Sequence, residues 1–512
     1  MSDLDRPPAA VQVQRRLPGG GLLLAAAAVA LLLALPRLAA PQPWSFDEYY
    51  HLGVARLMRS GLRIERLPSA AFSTFADRFA DKEPLFHLAL LPFARLPIDV
   101  AASVGAVLGQ LFVVAALAWA LATLRAPRPG WFLLALGGLG PVLAYRLEMC
   151  RPHVWLIGFA ILAMALLVER RPWALALVAA LAGLAHAGGW IVAAMAFVWV
   201  LSGLVLRQRE ATLWATWRPL AAAIAGWCAG QLVHPELPAN FEMLLRVNLT
   251  VPFEATAAGD AALRSQLGSE LQPPDLGLLI AQWPIVLAAA AIIVGWARGR
   301  WRDRASLATG ACALAFVAVG TLAMRRMTEI GGPLALLALA VQLRSAGDSL
   351  LASRRVRLLL GGLVLVGCAW TFAIVSQHAV GSPPRAMAEW LAGHGGAGER
   401  VFTVHWADSA PLFYFAPRLE SLVLLDPTFF FLKDRPAFLR YVAIVEGAEP
   451  QPRRAIREVF GARWVTLWRS DLGLPIGERL LADGEARPVF ADRDYVVLDL
   501  GSPAAGGSRP GR

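Results

Sequence analysis

The sequence contains few charged residues and few cysteines, and both shortages narrow the class of protein. Charged residues make up 17% of the 512 positions and hydrophobic residues 57%, with a mean hydropathy of +0.53. A soluble enzyme of this length carries more charge. The four cysteines lie in or beside apolar runs without a CxxC spacing, so they imply no disulfide framework and no zinc site. The composition indicates a polytopic membrane protein.

Ionisable side chains are also nearly absent from the centres of the apolar runs, where the main polar residues are Gln110, Gln282 and Gln342. Proton-coupled transporters usually keep an acidic or basic residue near the membrane midplane. The sequence therefore argues against that class. No clear processing site follows the first apolar run, residues 21–40, so we expect a retained helix there rather than a cleaved signal peptide.

Apolar runs long enough to cross a hydrocarbon core of roughly 30 Å recur from residue 21 to residue 380. Arginines concentrate in short loops between alternate runs, which is typical of cytoplasmic loops. The net charge of +11 therefore reflects topology rather than a nucleic-acid-binding surface. With residues 1–20 as a cytoplasmic tail, we predict about eleven crossings. They are 21–40, 99–124, 131–146, 153–169, 173–189, 190–206, 219–234, 277–297, 305–323, 333–346 and 357–379.

Two long segments, 41–98 and 235–276, then face the outside. Within the first, PLFHLALLPFARLP (84–97) is too short to cross comfortably and is interrupted by Pro92 and Pro97. We interpret it as an interfacial or re-entrant helix. Residues 21–380 are thus expected to form an all-α membrane domain, and two long loops on one face predict a roofed cavity.

From residue 383 to residue 500 the composition becomes that of a soluble protein. Short β-branched and aromatic runs alternate there with helix-like segments, which predicts a small extracytoplasmic α/β domain. Residues 501–512 are expected to be a disordered tail. The expected strands are 401–406, 421–426, 441–446, 464–468 and 495–500, and the expected helices are 387–393 and 453–461.

The acidic pair Asp47-Glu48, in WSFDEYYH (44–51), directly follows the first apolar run, where the chain first leaves the lipid. A carboxylate that faces a water-filled cavity at that interface can stay ionised and take a proton from an incoming hydroxyl. Guanidinium groups bind phosphate in a bidentate manner, so a cavity that combines carboxylates with arginines suits a lipid-phosphate donor. Further charged residues gather at the outer ends of the predicted spans: His51, Lys82, Glu83, Arg146, Glu148, Arg151, His153, His186, His234, Glu236, Arg325, Arg326 and Glu329.

Three segments resemble the GT-C glycosyltransferases, in particular the bacterial branch related to protein O-mannosyltransferases and lipid A aminoarabinose transferases (glycosyltransferase family 39-like). FDEYYHLGVARLMRSG (46–61) is similar to the family's Asp-Glu pair and Tyr-rich helix. DKEPLFHLALLPFARL (81–96) is similar to its Lys-Pro-Pro-Leu-like stretch, and YRLEMCRPHVWL (145–156) to its Arg-Pro-Asp-like corner at the start of a span. The resemblance covers residues 20–380 in layout and implies a GT-C fold.

The resemblance also implies an activity, inverting transfer of a sugar from a polyprenyl-phosphate donor to a lipid, glycan or protein acceptor on the extracytoplasmic face. Asp47 would be the catalytic base and Glu48 its catalytic neighbour. His153 stands where the family commonly has Asp, so we take Glu148 as the substitute second carboxylate. The implied substrate-binding residues are Tyr50, Lys82, Arg151, His153, Arg325 and Arg326.

Metal use is left open, because some family members use a divalent cation but no ligand spacing, including that of His153 with Glu148, assigns a site here. The Ala-, Leu- and Arg-rich composition favours a bacterial plasma (inner) membrane. The partners that we expect are the bilayer, the polyprenyl-phosphate donor and the acceptor, and we expect no nucleic acid.

The same residues also have structural interpretations. Asp47 and Glu48 could stabilise the start of the following helix. Lys82 could pair with Glu83 at the surface, and Arg325 and Arg326 could be interfacial anchors. Two other functions use the same cavity: a lipid-linked glycan transporter or non-catalytic scaffold, and a ligase or phosphotransferase with a diphosphate-linked donor.

Overall fold

The computed structural model describes residues 20–208, 212–256, 260–346, 353–378, 384–482 and 484–501. The expected cytoplasmic tail, apart from Gly20, and the expected disordered tail, apart from Gly501, lie outside the described residues.

Helices account for nearly all regular structure between Gly20 and His378. They are α1 (Gly20–Ala39), α2 (Phe46–Met58), α3 (Pro84–Leu90), α4 (Ile98–Thr123), α5 (Pro129–Gly137), α6 (Pro141–Leu147), α7 (Pro152–Val168), α8 (Pro172–Ala185), α9 (Ile191–Val205), α10 (Leu213–Leu232), α11 (Ala239–Leu245), α12 (Val251–Thr256), α13 (Ala261–Gln266), α14 (Leu276–Ala281), α15 (Trp283–Ala297), α16 (Arg304–Leu322), α17 (Thr328–Ala346) and α18 (Arg354–His378). Short 3₁₀ turns at Thr74–Ala76, Leu91–Phe93, Ser269–Leu271 and Arg325–Met327 connect some of them.

Within the described ranges, four helices are long and apolar enough to cross a membrane alone: α1, α4, α16 and α18. The pair α5 and α6 makes a fifth if it counts as one span bent by 85°. Gly140 lies between these two helices with a φ of +117°, a conformation that L side chains rarely adopt. Helices α7, α8, α9 and α15 are apolar but shorter. The count of eleven crossings stays a prediction.

The apolar helices pack through small residues and turn large residues outward. Helix α8 runs along α10, where a Cβ atom on Gly226 would lie 2.0 Å from the carbonyl oxygen of Ala176. Close backbone approach at small residues is typical of membrane helix packing. On α18, Leu358 and Leu359 are each 65% exposed, and lipid is the environment that suits such side chains.

Beyond residue 384 the chain forms a five-stranded mixed sheet in the order β2-β1-β3-β5-β4. The strands are β1 (Arg400–Thr403), β2 (Glu420–Ser421), β3 (Ala462–Trp468), β4 (Arg487–Ala491) and β5 (Tyr495–Asp499). Strand β1 is parallel to β2 and β3, while β5 is antiparallel to β3 and β4. The accompanying helices are α19 (Arg385–His394), α20 (Ser409–Phe415), α21 (Thr428–Lys433), α22 (Arg435–Val445), α23 (Pro452–Glu458) and α24 (Pro475–Leu481).

The expectation of a strand at 441–446 is wrong, because those residues lie at the end of α22 and just after it. Asp434 caps this helix by accepting from the amide of Ala437, and proline at its start favours the helical φ. Phe438, Tyr441 and Val442 are buried at a spacing of three to four residues, which is a helical period. The local β-propensity of YVAIVE was therefore overridden by the longer pattern.

Helix α2 is held between the apolar body and the C-terminal sheet region. Tyr49 packs edge-on against Tyr414 of α20, with ring centroids 5.9 Å apart. A Cβ atom on Gly53 would lie 2.6 Å from the ring of Phe413, so glycine is what allows this approach. The expected interfacial segment 84–97 forms α3 and a 3₁₀ turn that packs beside α2.

Candidate active site

The first turn of α2 turns two adjacent carboxylates into different environments. Ser45 is the extended N-cap residue, and Asp47 and Glu48 follow in the first turn, where the helix dipole favours negative charge. The side chain of Asp47 is 15% exposed, whereas that of Glu48 is fully buried. Only Asp47 is thus open to a substrate.

Glu48 fixes the junction of three segments. Arg37 of α1 donates to its Oε2 atom at 2.9 Å, and the amide of Cys150 donates to Oε1 at 3.0 Å. The amide of Trp44 also donates to Oε2 at 3.3 Å. This arrangement gives Glu48 a positioning role, holding α2 against the corner that carries Arg151.

Asp47 lies at one end of a chain of ion pairs. It contacts Arg151, whose Nη2 atom is also 3.0 Å from Glu270 Oε1. Glu270 Oε2 in turn lies 3.7 Å from Arg146, and Arg146 Nε donates to Glu329 at 2.6 Å. Residues 99 to 282 positions away from Asp47 in sequence therefore meet in one network of ion pairs.

The electrostatics of the two carboxylates that share Arg151 differ. Burial raises the pKa of Asp47 above its ordinary value, and the guanidinium of Arg151 opposes that rise. Burial also disfavours ionised Glu270, but Arg151 and Arg146 outweigh it and lower the pKa of Glu270 below its usual range. Asp47 is accordingly the carboxylate of this pair that accepts a proton more readily.

Two further basic side chains, Lys82 and Arg326, lie beside this network of ion pairs and form no ion pair of their own with a carboxylate in the described part of the chain. Among the described residues, no carboxylate lies within ion-pair distance of Lys82 or Arg326. The Lys82 ammonium is 5.6 Å from the ring of Phe429, and Arg326 Nη2 is 3.3 Å from His186 Nε2. Burial lowers the pKa of Arg326. Positive charge at these two positions is available to an anionic ligand.

The neighbouring Arg325 points elsewhere and contacts the hydroxyl of Ser269. Both arginines were predicted to bind substrate, and the structure separates them. Arg326 lies partly buried among the cluster, whereas the Arg325 contact is at the exposed edge.

Three other predicted residues lie at different distances from this cluster. His153 Nε2 is 3.6 Å from Glu329 and 3.2 Å from the carbonyl oxygen of Arg146, so it borders the cluster. Glu148 is buried, and neither carboxylate oxygen has a hydrogen bond among the described residues; the structure does not place it with Asp47. Tyr50 is 1% exposed, and its ring packs against that of His51. It therefore lies on the buried face of α2 and not on the face that exposes Asp47.

The second carboxylate beside Arg151 is Glu270, which the sequence reasoning missed. It lies in the 3₁₀ turn Ser269–Leu271 near the end of the second long outer segment. No local pattern distinguishes it from Glu242 or Glu254, and only its place in a segment predicted to roof the cavity pointed there. Lys82 and Glu83 do not form a surface pair, since Glu83 is 5% exposed.

Comparison with known proteins gives matches in structure but not in sequence. No protein-family profile and no curated protein matches the chain. The oligosaccharyltransferase of Archaeoglobus fulgidus is similar over 88% of this chain and 70% of its own, with a TM-score of 0.59 at 10% identity. The complex of oligosaccharyltransferase AglB from the same organism with an inhibitory peptide and a dolichol-phosphate covers 91% of this chain and 72% of its own, with a TM-score of 0.57 at 10% identity.

ArnT from Cupriavidus metallidurans bound to undecaprenyl phosphate is similar over 96% of this chain and 100% of its own, with a TM-score of 0.57 at 17% identity. The chain has a GT-C-like fold. The described residues place Asp47, Lys82, Arg151 and Arg326 in one cluster. The substrate-binding and catalytic roles assigned to them stay predictions.

Proposed function

We propose that the protein is an inverting membrane glycosyltransferase that moves a sugar from a polyprenyl-phosphate donor to a hydroxyl acceptor. The observation that supports this most is the proximity of a partly exposed carboxylate, Asp47, to two cations, Lys82 and Arg326, that form no ion pair with a carboxylate among the described residues. A base and an anion site side by side are what this transfer needs.

In the proposed step, Asp47 takes the proton of the acceptor hydroxyl. The acceptor oxygen forms a bond to the anomeric carbon on the face opposite the phosphate. The bond between that carbon and the phosphate oxygen breaks, and its electron pair leaves with the polyprenyl phosphate. Because the phosphate departs as a stable anion, no separate acid is required.

Lys82 and Arg326 would hold the phosphate and stabilise its growing charge. Glu270 contacts Arg151 and lies 3.7 Å from Arg146, so both arginines are already neutralised. Displacement of Glu270 by the donor phosphate would free a bidentate guanidinium for it. The segment with Glu270 would then move aside when the donor binds.

The named ligands of two structural neighbours support the proposed substrate classes. AglB was solved with a dolichol-phosphate and an inhibitory peptide, and ArnT with undecaprenyl phosphate. A polyprenyl phosphate is the shared chemistry on the donor side. We propose the same class of lipid for this chain, and a lipid, glycan or protein hydroxyl as the acceptor.

The proposal also includes the topology. The cluster would face the extracytoplasmic side of a bacterial inner membrane, with a cytoplasmic N-terminus, about eleven crossings and the C-terminal sheet region outside. The division at residues 380–383 into a membrane domain and a soluble domain belongs to this proposal. Cysteine labelling of position 47 from outside intact cells checks it, and labelling only from the inside would contradict it.

Replacement of the proposed base is the direct test. Asp47→Asn is nearly isosteric and removes the proton acceptor, so we expect transfer from a labelled polyprenyl-phosphate sugar in washed membranes to fall by about 10²–10⁴-fold. Asp99→Asn is the matched control, because Asp99 is also an aspartate in the first turn of a helix, here α4, but pairs with the exposed Arg385. Full transfer by a folded Asp47→Asn protein would overturn the assignment.

A lipid-linked glycan transporter is the second candidate, and the observation in its favour is the histidine at position 153 where the resembling family commonly has Asp. The two differ in product. A transporter moves the labelled donor between leaflets with its sugar–phosphate bond intact, whereas a transferase releases polyprenyl phosphate. Release of a polyprenyl diphosphate instead would point to a diphosphate-linked donor.

A further inference from the structure

A second cluster of ionisable groups lies between α2 and α3 and takes no part in the proposed transfer. His51 of α2 meets Glu83, at the N-cap of α3, and His87 of α3. One potential ligand atom from each residue lies within 4.8 Å of the other two, and all three side chains are buried. The three are 3%, 5% and 0% exposed.

The two imidazoles face each other directly. His51 Nδ1 is 2.8 Å from His87 Nε2, and His87 Nδ1 is 2.6 Å from Asp81 Oδ2. Because an ionised carboxylate only accepts, His87 donates from Nδ1 to Asp81; in neutral His87 the Nε2 atom then carries a lone pair directed toward His51. A carboxylate behind the remote nitrogen is the usual outer partner of a metal-bound histidine.

Hydrogen bonds can satisfy the facing nitrogens of His51 and His87, but they do not satisfy the carboxylate of Glu83. A proton on His51 Nδ1 would satisfy His87, yet Glu83 Oε2 is buried with no hydrogen-bond partner among the described residues. Asp81 adds a second buried carboxylate, which accepts from the amide of Glu83 at 2.9 Å. Buried charges are normally paired or bound to metal, and a divalent cation would compensate both.

We propose that His51, Glu83 and His87 bind a zinc ion, with Asp81 as the partner that orients His87. Two imidazoles and one carboxylate are a ligand set that zinc accepts with water in the fourth position. Tetrahedral ligation at about 2.0–2.1 Å would require the two ring nitrogens to separate by roughly half an ångström. The ion would tie α2 to α3 and so fix Asp47, one turn before His51, relative to Lys82, next to Glu83.

The test uses the full-length protein in detergent and measures metal directly, so that it does not depend on the proposed transfer. After purification with Zn²⁺ present and removal of loose metal, elemental analysis is expected to find one zinc per chain. Co²⁺ in its place is expected to give the visible absorption of a tetrahedral site. Less than a tenth of an equivalent of zinc, with no such absorption, would overturn the inference.

Variants locate the site. His87→Gln is expected to lose the zinc, and Asp81→Asn to weaken zinc affinity by about 10–100-fold. His405→Gln is the matched control, since His405 pairs with Asp471 in the sheet region and its loss is expected to leave one zinc bound. Equal zinc content in His87→Gln and His405→Gln would contradict the assignment. If Asp47→Asn keeps its zinc, a failed transfer and a failed metal site remain distinguishable.

Discussion

The cluster around Asp47 and the C-terminal sheet differ in how their basic side chains are paired with carboxylates. In the sheet, Arg463 donates to both oxygens of Asp499 at 3.0 and 2.9 Å and to Glu399 at 2.7 Å. In the cluster, Lys82 and Arg326 have no carboxylate partner among the described residues. Arg463 is thus matched by two carboxylates, whereas Lys82 and Arg326 form no ion pair with a carboxylate among the described residues.

The difference separates stabilising ion pairs from a binding site. Four basic side chains lie around Asp47, namely Lys82, Arg146, Arg151 and Arg326, but among the described residues only Arg146 and Arg151 form ion pairs with the carboxylates of the cluster, Asp47, Glu270 and Glu329. An uncompensated charge with little solvent costs free energy in the unliganded protein. Such a cost is expected where an anion binds, and the sheet shows no comparable imbalance at Arg463.

Removal of an unmatched cation should have the largest effect among the basic residues. Lys82→Met or Arg326→Met takes away a proposed phosphate ligand and breaks no ion pair, so we expect kcat/KM for the polyprenyl-phosphate donor to fall about 10–100-fold. Steady-state kinetics in detergent measures this. The matched controls are Lys433→Met, which affects a pair with Asp77, and Arg325→Met; equal losses in test and control variants would refute the distinction.

The pairing of Asp47 with Arg151 predicts a pH effect. A base works when ionised, so activity is present above the pKa of Asp47 and is lost as pH falls through it. Burial raises this pKa and Arg151 opposes the rise. In Arg151→Gln the opposing charge is gone, and the acid limb of the kcat/KM profile should move to higher pH. Arg385→Gln, outside the cluster, should leave the limb in place; an unmoved limb in Arg151→Gln would exclude Asp47 as the titrating base.

Replacement of Glu270 should have a smaller effect and should improve donor binding rather than weaken it. If this carboxylate occupies the arginines until the phosphate displaces it, Glu270→Gln should lower the donor KM by a few-fold, because an amide competes less well for a guanidinium. Glu242→Gln is the control, since Glu242 lies in the same outer segment and pairs with Arg246. A higher donor KM in Glu270→Gln would show that Glu270 assists binding instead.

The sequence predicted the helical body and several members of the cluster because their signals are local. Asp47 follows an apolar run, and Arg151 precedes one, so both could be assigned to span ends. The GT-C-like fold confirms the resemblance carried by three short segments. The roles assigned to Asp47, Lys82 and Arg151 stay predictions until activity is measured.

What the sequence could not show depends on long-range contacts. Glu270 reaches Arg151 across 119 positions, and nothing around it marks a partner. Glu148 and Glu48 lie beside the candidate site residues in sequence but are buried, because helical direction rather than sequence proximity decides exposure. The strand expected at 441–446 failed because a short window shows β-propensity while Phe438 and Asp434 extend a helical pattern.

Replacement of Arg463 in the sheet should have the smallest effect of these changes, and only on stability. Arg463 is 28% exposed and its partners are similarly placed, so solvent screens these pairs. Arg463→Met should lower stability by about 1 kcal/mol or less, a shift of roughly 2 °C or less in the thermal midpoint. Transfer should be unchanged, because Arg463 is matched by carboxylates and has no anion to bind. Tryptophan fluorescence on heating measures the shift, with the exposed Arg493→Met as the control. A loss of transfer in Arg463→Met comparable to that in Arg326→Met would show that matched and unmatched cations do not differ in function.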